Sequence, residues 1–238
     1  MLYNKGNHMT LYISDLDGTL LNTDARLSAY SRETLNELID AGLLFTVASA
    51  RSVHSLQPTI KGLRLQLPVI EFNGSFISDL ESGRHLTSNT MSWKTGDTII
   101  HIAADMDLHP FYSTICCEGE DRLYTPEIMN EGGRLYQLDR IEHTDPRLQE
   151  KPFVRTDREK NELVCLTFIG PEKRLKQLED ELKSLSCADR SFAVNFFENV
   201  YSPGWLWLTV HSSEARKHLA IRKLRERYCP QADELVVF

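Results

Sequence analysis

The sequence predicts an α/β protein whose parallel sheet is interrupted by a separate α+β module. Three observations predict it. Short, continuous apolar strands alternate with helical segments over the first eighty residues, the pattern of strands buried on both faces. After about residue 82 hairpin-like strand pairs replace that alternation, and beyond residue 211 a helix and a strand resume it. These changes divide the chain into a core of residues 9–81 and 212–238 and an inserted module of residues 82–211.

The elements follow in order. Residues 11–14 form an apolar run that ends in Asp-Leu-Asp-Gly, a strand leading into a turn. Ser31 reads as the N-cap of a helix carrying Leu35, Leu38 and Ile39, and Gly42 supplies its stop. Residues 43–48 form a second buried strand, followed at once by Ser49-Ala50-Arg51 and a helix. Residues 69–72 form a third, ending at Asn73-Gly74. In the module, Ile99, Ile100, Ala103 and Met106 mark a helix. Residues 111–116 and 122–124 are strands around the polar Glu118-Gly119-Glu120, and residues 163–169 are another. Pro171 opens a helix with Leu175, Leu178, Leu182 and Leu185 on one stripe. Residues 192–197 and 205–210 bracket Asn199 to Gly204 as a hairpin. Residues 216–228 are helical and residues 234–238 form a last strand.

Composition bounds the function. With 41% hydrophobic and 26% charged residues the chain is an ordinary globular sequence, not a disordered one. A net charge of -7 argues against nucleic acid as a partner, because binding needs basic residues to neutralise phosphates. It leaves room for a small phosphorylated substrate in a locally positive pocket. The five cysteines lack CxxC spacing, so free thiols in a reducing cytoplasm are expected rather than a zinc site or disulfide framework. The polar first ten residues give no signal-peptide pattern, Met9 is a plausible second start, and no apolar run is long enough to span a membrane. Nothing in the sequence fixes the oligomeric state.

The strongest chemical signal is Asp15-Leu16-Asp17-Gly18-Thr19-Leu20 directly after the first strand. By chance such a hexapeptide occurs in roughly one chain in a thousand of this length. Ligands of open parallel sheets bind beyond the carboxyl ends of the strands. Two carboxylates two residues apart there can divide labour, one attacking and the other handling protons. The pair also attracts a hard cation such as Mg²⁺. The bland alternative is an Asp-Gly turn beside a solvated aspartate.

This hexapeptide resembles the first motif of haloacid dehalogenase-type phosphatases. The resemblance implies a Rossmann-like core in which Asp15 forms an aspartyl-phosphate. Asp17 would then act as general acid and base, its carbonyl joining Asp15 on Mg²⁺. Ser49-Ala50-Arg51 resembles the second motif, whose hydroxyl holds a phosphate oxygen, although a serine at a strand end also serves as a helix cap. Asn73-Gly74 resembles the Asn-Gly of the type-IIB, or Cof-like, branch, where the Asn lines the phosphate site; an ordinary turn is the alternative. Lys217 is the counterpart of the charge-balancing lysine, in Lys217-His218-Leu219-Ala220-Ile221. His218 replaces a usual Gly, and Arg216 and Lys223 are nearby basic residues.

Insertion between the third strand and the lysine implies a type-IIB cap that closes over the phosphoryl site and selects the substrate. Phe111, Tyr112, Glu118, Asp121, Arg122 and Tyr124 lie in that module, where strand core or solvated loop is the commoner role. The family's fourth motif, acidic residues after the fourth core strand, would follow residues 234–238 and is not among these 238 residues. Weakened metal affinity and an unprotected edge strand are expected from that. The reading is a Mg²⁺-dependent hydrolase of a small phosphomonoester such as a sugar phosphate. The alternatives are a sugar phosphomutase and a catalytically impaired binding module.

Overall fold

The computed structural model describes residues 9–198 and 204–238. These fall into two compact units, one made of residues up to Ser88 together with Ala215–Phe238, the other of Asn89–Glu214.

In the first unit β1 (Thr10–Ser14) is central. It pairs in parallel with β2 (Leu44–Val47) on one side, Leu11 opposite Leu44, and with β11 (Glu234–Val237) on the other, Thr10 opposite Glu234. A parallel bridge from Ala48 to Ile70 sets β3 (Val69–Glu71) beside β2. The alternation of β1 sends Leu11 and Ile13 into one cluster with Ala220, Ile221 and Leu224 of α6 (Lys217–Tyr228). A second cluster gathers Leu16, Phe45, Val47 and the Val53 and Leu56 of α2 (Val53–Thr59).

One sequence reading changes here. Helix α1 (Ala29–Asp40) is capped by Ser28, not Ser31: Ser28 has extended backbone, and its Oγ accepts the Ser31 N–H at 3.0 Å. A cap reaches the third helical residue, so Ser28 and Ser31 stand three apart at the two ends of one capping bond. Beyond the third strand the chain turns back on itself. It forms β4 (Phe76–Ser78) and β5 (His85–Ser88), each antiparallel to its predecessor. The units divide after Ser88, the last residue of β5, and after Glu214. Gly42 does stop α1, with Leu43 N–H returning to the Leu38 carbonyl at 2.9 Å.

The second unit is an antiparallel five-stranded sheet in the order β7-β6-β8-β10-β9. Its strands are β6 (Phe111–Cys116), β7 (Asp121–Tyr124), β8 (Asn161–Gly170), β9 (Phe192–Glu198) and β10 (Leu206–Ser212). Alternation again sorts the faces. Leu166, Phe168, Leu208 and Val210 pack with α3 (Trp93–Ala104) and α5 (Glu172–Ala188), whereas Phe111, Ile169, Trp205 and Trp207 pack with Tyr136 of α4 (Glu131–Glu142). Leu175, Leu178 and Leu182 of α5 are fully buried, each contributing about 2 kcal/mol from removed apolar surface. The predicted turn between β9 and β10 lies outside the described residues at 199–203.

Helix α4 was not legible from spacing, since Leu135, Leu138 and Ile141 face solvent while Gly132 and Gly133 are buried. Gly132 is there for room: a Cβ would sit 2.4 Å from the Trp205 ring. Among the described residues no helix is long and apolar enough to cross a membrane.

Candidate active site

The carboxyl ends of β1, β2 and β3 and the start of α6 bring the predicted residues into one region of the first unit. Asp15 follows β1 directly, its N–H bonded to the Phe238 carbonyl at 3.1 Å. The chain then makes a tight turn over Leu16–Leu20, anchored by the buried Leu16 and closed by Leu21 N–H on the Leu16 carbonyl at 2.9 Å. Oδ1 of Asp15 accepts the Leu16 N–H at 2.7 Å, and Oδ2 receives Nζ of Lys217 at 2.5 Å. Lys217 is the first residue of α6, so a rigid helix delivers its ammonium. Of the basic residues at this helix start, Lys217 is the one paired with Asp15.

Asp17 lies inside the turn, half exposed. Arg51 grips it with a two-pronged fork, Nε to Oδ2 at 2.9 Å and a terminal nitrogen to Oδ1 at 2.7 Å. The other terminal nitrogen of Arg51 donates to Thr59 Oγ1 at 3.1 Å, which fixes the fork from behind. The arginine stood in the Ser49-Ala50-Arg51 motif without a site role. Its position two residues after Ser49 was the signal that could have found it.

Ser49 is fully buried at the end of β2, and its Oγ accepts the Arg51 N–H at 3.1 Å. It is not the cap of α2; that task falls to Ser52, whose Oγ accepts from Ser55 N–H. Asn73 and the preceding Phe72 both take left-handed backbone, φ 55° and 47°. Two consecutive residues there are costly, and main-chain bonds hold them: Asn73 N–H to the Ser49 carbonyl at 3.0 Å and Phe72 N–H to the Arg51 carbonyl at 3.1 Å. Gly74 follows with φ 102°, and a Cβ there would lie 2.7 Å from the carbonyl carbon of Arg216. Asn73-Gly74 is thus a strained turn packed against the peptide that introduces Lys217.

The donor set suits a hard divalent cation. Each oxygen of Asp15 has one partner and keeps a further lone pair, and the Asp17 carbonyl belongs to the same turn. Among the described residues the one trio of Cys, His, Asp or Glu spaced for a metal is in the other unit, the buried Cys116 at the end of β6 with the exposed Glu118 and Glu120 of the turn after it.

Of the residues that the sequence placed in the inserted module, Phe111 and Tyr124 are core, and Asp121 faces the buried Arg147 at 3.7 Å. Arg122 faces Glu120, 3.6 Å away, and Glu118 is exposed. Tyr112 stacks on Phe153 at 4.4 Å, and burial raises its phenol pKa. Both rings line a cavity of about 320 Å³ with His109, Pro126, Glu127, Val154 and Arg155.

Residues 12–238 match the family model for haloacid dehalogenase-like hydrolases. Over 171 residues the chain is 25% identical to an HMP-PP phosphatase of Serratia proteamaculans, covering 71% of this chain and 57% of that one. Over 77 residues it is 38% identical to a 5-amino-6-(5-phospho-D-ribitylamino)uracil phosphatase of Bacillus subtilis, 32% of this chain and 26% of that one. The chain therefore spans between about a quarter and just over half of the length of these curated relatives. Among solved structures, a subclass IIB sugar phosphatase has the same fold, with a TM-score of 0.64 at 15% identity over 97% of this chain and 80% of that one.

Proposed function

The chain belongs to the haloacid dehalogenase-like hydrolases, and on that premise we propose that it is a phosphatase of small phosphomonoesters that works through an aspartyl-phosphate on Asp15. The observation that carries the reading is the pairing of Asp15 with Lys217 at the carboxyl end of β1, next to Ser49 and Asn73.

Each residue then has a task. A carboxylate oxygen of Asp15 attacks phosphorus, the bond to the leaving oxygen breaks, and that oxygen takes a proton from Asp17. Asp17, now ionised, removes a proton from the water that attacks the aspartyl-phosphate. Phosphate leaves and Asp15 is regenerated. Lys217 balances the negative charge that gathers on Asp15 and the phosphoryl oxygens. The Ser49 hydroxyl and Asn73 hold phosphoryl oxygens. While the fork is closed both Asp17 oxygens accept from Arg51, so Asp17 turns out of it to carry a proton. Membership of the family implies a divalent cation, typically Mg²⁺; the Asp15 carboxylate and Asp17 carbonyl would hold it, and it would supply positive charge to the phosphoryl oxygens.

The second unit is read as the type-IIB cap, which leaves the choice of leaving group to its residues. A phosphorylated sugar or sugar alcohol is the favoured class, supported by the phosphoribityl group in the name of one relative and by the sugar phosphatase among the structural neighbours.

The test is Mg²⁺-dependent phosphate release from p-nitrophenyl phosphate and from a panel of sugar phosphates, beside Asp15→Asn. Turnover that needs Mg²⁺ and vanishes in the variant supports the reading. Conversion of one hexose phosphate to its isomer without phosphate release would point to a mutase. A folded protein with no turnover above the variant would overturn catalysis in this chain.

A further inference from the structure

Resting on the phosphatase reading, we propose that Glu71 is a positioning residue of the phosphoryl site, tying together from behind the two loops that carry Ser49 and Asn73. Glu71 ends β3 and has no solvent exposure. A buried carboxylate is costly unless each oxygen has a donor. Here both are served. Oε2 accepts the N–H of Val53, the first residue of α2, in a short bond. Oε1 accepts the Ser78 hydroxyl at 2.5 Å, and Nδ1 of His85 lies 3.1 Å away. The same nitrogen is 2.8 Å from Ser78 Oγ, and the His85 ring stacks on Phe76 with centroids 3.9 Å apart.

The placement gives this cluster its consequence. Residues 49–53 and 70–73 run side by side, joined by Ser49 N–H to the Ile70 carbonyl, Phe72 N–H to the Arg51 carbonyl and Asn73 N–H to the Ser49 carbonyl. Glu71 adds a fourth link to the same pair of segments, through Val53. The left-handed Phe72 and Asn73 follow it directly, so their strain is held in place from the β4–β5 side by a carboxylate anchored on Ser78 and His85. Nothing in Glu71 faces the substrate region, and its effect passes through Ser49 and Asn73. Asp15 and Lys217 stand on other elements. Loss of Glu71 should therefore weaken phosphate binding and spare the chemical step.

The test compares Glu71→Ala with Glu71→Gln. The glutamine oxygen can still accept from Val53 N–H while its amide donates to Ser78 Oγ. In Glu71→Ala, KM for p-nitrophenyl phosphate and Ki for inorganic phosphate should rise about tenfold, with kcat within about threefold, and Glu71→Gln should restore both. Unchanged KM and Ki in a folded Glu71→Ala, a fall confined to kcat, or failure of Glu71→Gln to restore binding would overturn the proposal. If Glu71→Ala does not fold, Ser78→Ala takes its place, with a rise of about threefold expected and no rise overturning it. Amide exchange at Val53, Phe72 and Asn73 separates this claim from the phosphatase reading. Faster exchange in the alanine variant and protection in the glutamine variant support the positioning role even if the wild type shows no turnover. Equal exchange in all three proteins overturns it.

Discussion

The ammonium of Lys217 lies 2.5 Å from Oδ2 of Asp15, a residue 202 positions earlier in the chain. If that pair balances charge during phosphoryl transfer, its members differ in what their loss removes. Asp15→Asn should abolish Mg²⁺-dependent phosphate release, whereas Lys217→Ala should retain a residue of activity about 10²–10³-fold below the wild type. Phosphate release measured with and without a chelator checks both, since chelation should silence the wild type.

The acid role proposed for Asp17 predicts a dependence on the leaving group. An alkoxide needs a proton as it departs and p-nitrophenolate does not. Asp17→Asn should cost about 10²-fold or more with a sugar phosphate and distinctly less with p-nitrophenyl phosphate. Equal losses with both substrates would place Asp17 outside proton transfer.

Gly74 abuts the peptide before Lys217, with no room for a methyl group. Gly74→Ala combines left-handed strain with a clash against backbone and should cost at least about 1–3 kcal/mol. Urea unfolding measures that cost. Activity should fall further than the folded fraction does, because the displaced peptide carries Lys217.

A buried ion network gives the second unit an acid limit. Burial acts to raise the Asp145 carboxyl, but the hydrogen bonds and charge of Arg147, with Arg140 nearby, hold it below the usual carboxylate range. Burial likewise acts to lower Arg147, and Asp145 and Asp121 more than reverse that. A depressed carboxyl contributes stability that is complete above its unfolded value, about 3.9, and is lost as pH falls through the lower folded value. Asp145→Asn should cost about 3 kcal/mol at neutral pH, by removing the carboxylate 2.7 Å from the buried Arg147, and should flatten the acid limb. Trp93, Trp205 and Trp207, the three tryptophans of the chain, all lie in this unit, so fluorescence-monitored unfolding between pH 3 and 7 reads it directly.

Thiol labelling should split the cysteines by exposure. Cys117 and Cys187 are exposed and should react within minutes, while Cys165 is buried with its thiol pushed up to about 12 and should react only on unfolding.

The parallel strands and the stripe of α5 were legible because both faces or one full stripe are buried, which writes continuous or periodic apolar runs into the sequence. β4 and β5 were not. They are three and four residues long, and the polar Ser78 and His85 serve Glu71 instead of a core. α4 was missed because it buries glycines against Trp205 and exposes its leucines, reversing the usual pattern. At the site, Asp15, Asp17, Ser49, Asn73 and Lys217 could be named from local motifs. Arg51 stands two residues after Ser49 in the same motif, whereas the bonds of Glu71 to Val53 and Ser78 join segments that no local spacing encodes.

The interruption of the first unit by the second has a consequence for biogenesis. β1 draws one neighbour from residues 44–47 and the other from residues 234–237, so closing that sheet waits for contacts of very large sequence separation. The second unit is one continuous segment and can condense earlier during synthesis. Until α6 leaves the ribosome, the nascent chain holds Asp15 without the ammonium of Lys217.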